Sequence, residues 1–233
     1  KEYLLKSDYK FDPKRLYEAM EKPVANFKEA MAKDGLSIIG EVKKASPSRG
    51  LIKPDFKPVE IAKEYEGAVD AISVLTEEKF FMGSPEYLKA IHSEVNLPLL
   101  RKDFVISPLQ IFEAREMGAS TILLIAAVLN DVRVLREYIN IARGVGFEPL
   151  VETHNKEEIE LALNAGALLA AIVIVSPVLG FLPVLSLRVR TSKLPKPFKE
   201  TLSPLAKASV TTSTKAVTTL STSVFVNSVL EAI

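Results

Sequence analysis

Two lysines and two glutamates stand in this chain where a folded protein tolerates charge poorly. Glu41 and Lys43 fall at the end of SIIGEVK, a β-branched apolar run with the composition of a strand buried on both faces. Side chains alternate along a strand, so these two point the same way. Lys102 ends LPLLRK and Glu152 ends EPLVE, two further runs of the same kind. Burying a carboxylate or an ammonium is costly unless it is paired or meets a charged ligand. A lysine among apolar strand residues has its ammonium form disfavoured, whereas carboxylates beside it hold it charged, a balance that suits a general acid near neutral pH. A second lysine that stays charged binds an anion, and neighbouring carboxylates take protons back. The chemistry expected of such a group is acid–base catalysis on an anionic small molecule. Taken singly, each residue also reads as a solvated rim charge or half of a surface pair. Glu77 and Asp103 stand at strand ends as well, and the recurrence of charge at that one position carries the reading.

Strand-like and helix-like segments alternate around these residues. DAISVL, LPLLRK, STILLIAAVL and EPLVETH are short runs rich in Val, Ile and Leu, each ended by polar residues. Between them PVEIAKEYEGA, SPEYLKAIHSEV, SPLQIFEAREMGA, DVRVLREYINIARGVG and NKEEIELALNAGA place apolar residues at three- and four-residue spacing. Ser84 and Ser107 each precede a proline, and Asn155 precedes Glu157 and Glu158, which are helix-start patterns. Gly67, Gly118, Gly146 and Gly166 mark helix ends. Continuous apolar strands separated by helices require a parallel sheet covered on both faces. The strand starts fall about 25 residues apart, so about eight units fit the 233 residues, the arithmetic of a (β/α)8 TIM barrel. A doubly wound sheet would also alternate, but KKASPSRG after the first strand lacks G-x-G-x-x-G. The expected organisation is one barrel domain over 1–233, with 1–34 as an N-terminal helical extension. On a barrel, residues at C-terminal strand ends converge on one mouth although far apart in sequence.

Bulk properties narrow the partners. A net charge of +1 gives no reason to expect nucleic acid. Without cysteine the chain has no disulfides or thiolate ligands, which fits a reducing compartment, and two histidines are too few for a His-rich metal site. His92 and His154 read as surface or loop residues without a task. The start, KEYLLKSDYKF, has no apolar core of a secretory signal. ALLAAIVIVSPVLGFLPVL is long enough to cross a bilayer, but Pro177, Gly180 and Pro183 break it, and a buried strand, turn and apolar loop is the favoured reading.

IIGEVKKASPSRG, DAISVLTEEKFFMGSPEYL, LPLLRKDFVISPLQIFEAREMGAS, ILLIAAVL and FEPLVETHNKEEIELALNAGA closely resemble the indole-3-glycerol phosphate synthase family, from about Asn26 to Gly166. E-x-K-x-x-S-P-S, S-x-L-T-E and K-D-F occur in the family's order. The resemblance implies a cytoplasmic, monomeric (β/α)8 barrel enzyme of tryptophan biosynthesis. It would close the pyrrole ring of 1-(2-carboxyphenylamino)-1-deoxyribulose 5-phosphate with loss of carbon dioxide and water, using neither metal nor organic cofactor. The implied partner is a phosphorylated small molecule, with no nucleic acid and no membrane. Carried over by position, Lys102 is the general acid of ring closure and Glu152 the acid or base of dehydration. Lys43 holds the substrate's anionic groups, and Glu41 supports both lysines. Ser46 lies over the substrate and Phe81 lines the anthranilate pocket.

After Gly166 the chain departs from the family. Where the family has G-I-N-x-R-D-L it reads VIVSPVL, with Val175 at the substrate-contacting Asn and Pro177 at the Arg. Where the family has E-S-G-I it reads KASV, with Lys207 at the acid, Ala208 at the Ser and Ser209 at the Gly. Where the family has V-G-x-x-L-M it reads VNSVLE, with Asn227 at the Gly. Val175 and Ala208 are therefore substrate-binding positions, and Ser209, Asn227 and Ser228 phosphate-binding positions, by alignment alone. Phosphate in such barrels sits on backbone N–H groups where glycine allows close approach. No Asp follows Asp131, only Gly180 follows Gly166, and thirteen of the last 33 residues are Ser or Thr, so this stretch loses the residues that βα turns need. Either the residues written there are side-chain shapes rather than a translated gene, or the chain has lost its phosphate grip. Peptide masses matching VIVSPVLG and KASVTTSTK would decide for the second. Two alternatives to the enzyme stand beside it: a non-catalytic barrel that binds a phosphorylated ligand, and another sugar-phosphate barrel enzyme such as an isomerase.

Overall fold

A computed structural model describes residues 9–33, 37–172, 185–187 and 222–226. Two N-terminal helices, α1 (Pro13–Glu21) and α2 (Phe27–Ala30), precede strand β1 (Ser37–Val42). A small hairpin follows, β2 (Ala45–Ser46) and β3 (Gly50–Leu51). Then come α3 (Pro58–Tyr65), β4 (Ala71–Leu75), α4 (Glu78–Phe81), α5 (Pro85–His92), β5 (Leu99–Lys102) and α6 (Pro108–Glu116). The series continues with β6 (Thr121–Ile125), α7 (Val132–Gly144), β7 (Leu150–Thr153), α8 (Lys156–Ala165) and β8 (Leu169–Ile172). Strands β9 (Leu185–Leu187) and β10 (Thr222–Val226) complete the described elements.

Helices α5 to α8 begin where short polar side chains replace the backbone partners that a first turn lacks. Ser84, Asp131 and Asn155 accept from Glu86, Arg133 and Glu158 N–H groups, and Ser107 forms a full capping box with Gln110. Gly118 shows why a glycine stands at a helix end. Its φ is +87°, and an added Cβ would lie 2.2 Å from the His92 ring. Gly118→Ala combines left-handed strain with overpacking, each worth about 1–2 kcal/mol. A fall in melting temperature of roughly 5 °C or more is expected in a thermal melt.

Strands β1, β4, β5, β6, β7 and β8 pair in parallel, in that spatial order. Each strand buries both faces. Outward, Ile72, Val74, Leu99, Ile122, Leu124 and Val151 pack under Leu88, Ile91, Ile111, Leu135 and Ile139 of the helices. Inward, Ile39, Ala71, Leu100, Leu123, Leu150 and Leu169, one from each strand, pack on one another and on Phe27, Ala30 and Met31. Helix α2 and the residue after it thus close the interior at the strands' N-terminal ends. Parallel strands curling about a filled interior, with helices outside, make this a TIM-barrel α/β fold.

One feature departs from eight parallel strands. β10 pairs with the free edge of β1 in antiparallel sense, β9 pairs with β10, and β9 lies alongside β8. Sequence alternation predicts parallel returns all the way round. The stretch that has to supply those last crossovers is the one where Asp and Gly nearly vanish. Among the described residues no helix is long and apolar enough to cross a membrane. Most of the apolar 167–185 segment lies outside them.

Candidate active site

Two residues beyond the inner apolar layer, on the same strand faces, come Glu41, Ser73, Lys102, Ile125, Glu152 and Ala171. The pairing register sets Glu41 beside Ser73, Leu75 beside Lys102, and Ile125 and Ala171 on either side of Glu152. This is the layer at the C-terminal mouth. Lys102 Nζ donates to Glu41 Oε2 at 2.5 Å, and Lys43 Nζ donates to Glu41 Oε1. One carboxylate, with a side chain only 4% exposed, therefore holds an ammonium on each oxygen. The lysine side chains are 21% and 23% exposed and that of Glu152 is 17%, so their tips remain open to a small molecule. From behind, Tyr65 Oη donates to the Glu41 carbonyl and steadies the strand end.

The electrostatics follow from this packing. Burial by itself raises the Glu41 carboxyl, but the charges of Lys102 and Lys43 and their hydrogen bonds overcome it and hold the group down at about 2. Burial likewise disfavours the Lys102 ammonium. Glu41, by charge and hydrogen bond, and Glu152, by charge, outweigh it and leave the lysine above its ordinary value. The expectation of a balance near neutrality thus changes in one respect: in the unliganded protein Lys102 is firmly an ammonium, because Glu41 bonds it directly. A substrate that draws Glu41 or Lys102 apart would release that hold.

A carboxyl lowered on folding stabilises the fold above its unfolded value, and the contribution is lost as pH falls through the folded value. For Glu41 the window runs from 4.5 down to about 2. Glu41→Gln is expected to flatten the fall in melting temperature across that window relative to the unchanged protein. An unaltered slope would show that Glu41 is not paired in solution.

The other predicted positions sort differently. Ser46 lies on β2 in the hairpin after β1, its hydroxyl 3.4 Å from that of Ser48. Phe81 ends α4, with its ring centroid 6.4 Å from that of Phe104, so two aromatic rings from the loops after β4 and β5 stand together. Phe104 was not singled out by sequence, although it directly follows Lys102-Asp103. Val175, Ala208, Ser209, Asn227 and Ser228 lie outside the described residues. Glu77 and Asp103, equally placed at strand ends, do not join the cluster. Glu77 accepts from the N–H groups of Lys79, Phe80 and Phe81 and caps α4. Asp103 accepts from Thr76, Arg101 and the Phe104 N–H.

His154 does join the cluster. Its Nε2 lies 3.3 Å from Glu152 Oε1, and its Nδ1 3.2 Å from Glu158 Oε2. The signal was present in the sequence: His154 stands two residues after Glu152, as Lys43 does after Glu41, and so leaves the strand on the same face.

Fold and cluster together define a TIM-barrel protein with a cluster of lysines and carboxylates at its C-terminal mouth. The indole-3-glycerol phosphate synthase family model matches residues 6–174, and the chain belongs to that family. It is similar to the indole-3-glycerol phosphate synthase of Endomicrobium trichonymphae, 57% identical over 148 residues, which cover 63% of this chain and 57% of that protein. It is also similar to that of Thermoanaerobacter pseudethanolicus, 50% identical over 60% of this chain and 54% of that protein. The chain thus matches little more than half the length of these relatives. A type I 3-dehydroquinate dehydratase structure from Clostridium difficile, 19% identical with a TM-score of 0.42 over 60% of this chain and 64% of that chain, is too distant to bear on the site.

Proposed function

We propose that the mouth cluster catalyses formation of indole-3-glycerol phosphate from 1-(2-carboxyphenylamino)-1-deoxyribulose 5-phosphate, with loss of carbon dioxide and water. One observation carries the reading: Glu41 grips both Lys43 and Lys102, while the charge of Glu152, in the same layer on a third strand, helps to hold Lys102 charged. Condensing an electron-rich ring with a ketone requires a proton on the ketone oxygen as the carbon–carbon bond forms. Lys102 supplies it as the ammonium that Glu41 and Glu152 maintain. Lys43 holds the carboxylate of the anthranilate ring, and its charge assists until carbon dioxide departs. Glu152 then acts in dehydration, taking the proton from carbon and returning one to the departing hydroxyl. Phe81 and Phe104 line the apolar side against the anthranilate ring, and Ser46 lies over the substrate. Positioning and a low-dielectric mouth supply the rest.

Val175 and Ala208 stand at substrate positions, and Ser209, Asn227 and Ser228 at phosphate positions, by alignment. The same reading takes the protein as a monomer acting on a diffusible phosphorylated substrate in the cytoplasm. The departures from the family after Gly166 favour a second reading, a barrel that binds such a ligand without turning it over. Incubating the protein with the carboxyphenylamino substrate and following indole fluorescence separates the two. Growth of the product signal is expected; binding without product would transfer the case to the second reading.

A further inference from the structure

The imidazole of His154 sits between two carboxylates. Glu158 Oε2 takes the His154 backbone N–H at 2.8 Å and lies 3.2 Å from Nδ1. Asn155 Nδ2 donates to the other Glu158 oxygen at 2.8 Å, and the Asn155 side chain caps α8 through the Glu158 N–H. The ring is therefore held from the Nδ1 side by a carboxylate that is itself fixed. With Nδ1–H donated to Glu158, Nε2 faces Glu152 Oε1 at 3.3 Å. A neutral imidazole has one N–H and cannot donate to both carboxylates. The second contact is satisfied only when an extra proton resides on Nε2 or on Glu152. Among the described residues, the carboxylates in ion-pair reach of the ring are those of Glu152 on β7 and Glu158 on α8, and Glu152 in turn acts by its charge on Lys102 of β5. His154 is also more open to solvent than Glu152, its side chain 36% exposed against 17%.

We infer that His154 is the proton port of the site, carrying protons between solvent and Glu152; this rests on the reaction proposed above. The stoichiometry of that reaction requires such a port. With the substrate carboxylate ionised, substrate plus one proton gives the indole product, carbon dioxide and water, so each turnover draws one proton from solution. In the step assigned to His154, the Nε2–H bond of the imidazolium breaks and an O–H bond forms on Glu152, the N–H electron pair remaining on Nε2; Glu152 passes that proton on to the Lys102 amine that ring closure left neutral, which restores the ammonium and returns Glu152 to its carboxylate. The neutral ring then takes its next proton from water or a buffer acid at its exposed edge. The residue acts through Glu152 and does not touch substrate.

His154→Gln keeps a side chain able to hydrogen-bond Glu152 but not to carry a proton. Its kcat is expected to fall about tenfold, with KM within about twofold and melting temperature unchanged. Added imidazole should restore turnover in a concentration-dependent way, and the acid limb of the pH–rate profile should shift. An unchanged kcat would overturn the inference. So would a lowered kcat that imidazole does not restore and whose pH profile matches the unchanged protein, since that is a packing role. A second measurement does not depend on turnover. The chain has two histidines, so the ring-nitrogen NMR signals of His154 are readily told from those of His92. Glu152→Gln should move the His154 signals and leave those of His92, and static His154 signals would overturn the inference. If the unchanged protein makes no indole product, the proposed reaction fails and the port with it. An active protein with an indifferent His154→Gln variant removes the port alone.

Discussion

Lys102→Ala is expected to lower kcat for ring closure by about 10²–10⁴-fold, the range of a lost general acid, while the barrel stays folded. The fold is expected to survive because Lys102 stands at the mouth and Glu41 keeps an ammonium partner in Lys43. The inner-layer neighbours of Lys102, Leu100 and Leu123, lie one layer deeper. What changes is Glu41, which keeps Lys43 as a partner and loses Lys102. Glu41 therefore titrates higher in the variant than the value of about 2 it has with both lysines. Lys102→Arg separates the two roles of the side chain. A guanidinium preserves the positive charge beside Glu41 but does not give up a proton, so this variant should restore Glu41's low titration and leave ring closure nearly as slow. Single-turnover indole fluorescence with circular dichroism on the same samples measures both effects. Near-normal turnover in either variant would remove Lys102 from the assignment.

The largest expected loss of stability comes from the residue next door. Arg101 points to the opposite face of β5, under the helices, and is 3% exposed. Its guanidinium donates to Thr76 Oγ1 at 3.1 Å, the Gln110 carbonyl at 2.9 Å, Glu113 at 2.7 Å and Asp103 at 3.0 Å. Asp103 also accepts from Thr76 Oγ1 at 2.6 Å. Arg101→Met fills the space but strands two carboxylates without their cation, which typically costs about 3–5 kcal/mol. For a chain of this size a drop in melting temperature of roughly 10 °C follows. The consequence reaches the site, because the same network positions the loop after Lys102. Asp103 accepts the Phe104 N–H, and Gln110 accepts from Ile106 and Ser107 while donating to the Phe104 carbonyl. KM should therefore rise as Phe104 loses its place beside Phe81. A loss below about 1 kcal/mol, the scale of an exposed pair, would show that the network is solvated.

The alternation of strands and helices, the capping side chains and the four charges of the mouth cluster were readable in one dimension. Each depends on neighbours within a few residues: a hydroxyl two or three places before the N–H it caps, or a charge at the end of an apolar run. That is how Glu41, Lys43, Lys102 and Glu152 were found, and they converge because parallel strands end on one side of a barrel. Local pattern did not distinguish them from Glu77 and Asp103, which are the same residue types at the same kind of position. Arg101 and Lys102 are adjacent cations on one short strand, one buried under helices and one in the mouth. Which face of a strand turns inward is set by the curl of the whole sheet, and no window of neighbouring residues contains it. The packing of Phe104 on Phe81 and the antiparallel arrival of β10 at the edge of β1 likewise belong to contacts between distant segments. Periodicity tells a side chain which neighbours it shares a face with; closure of the sheet tells that face whether it meets core, solvent or substrate.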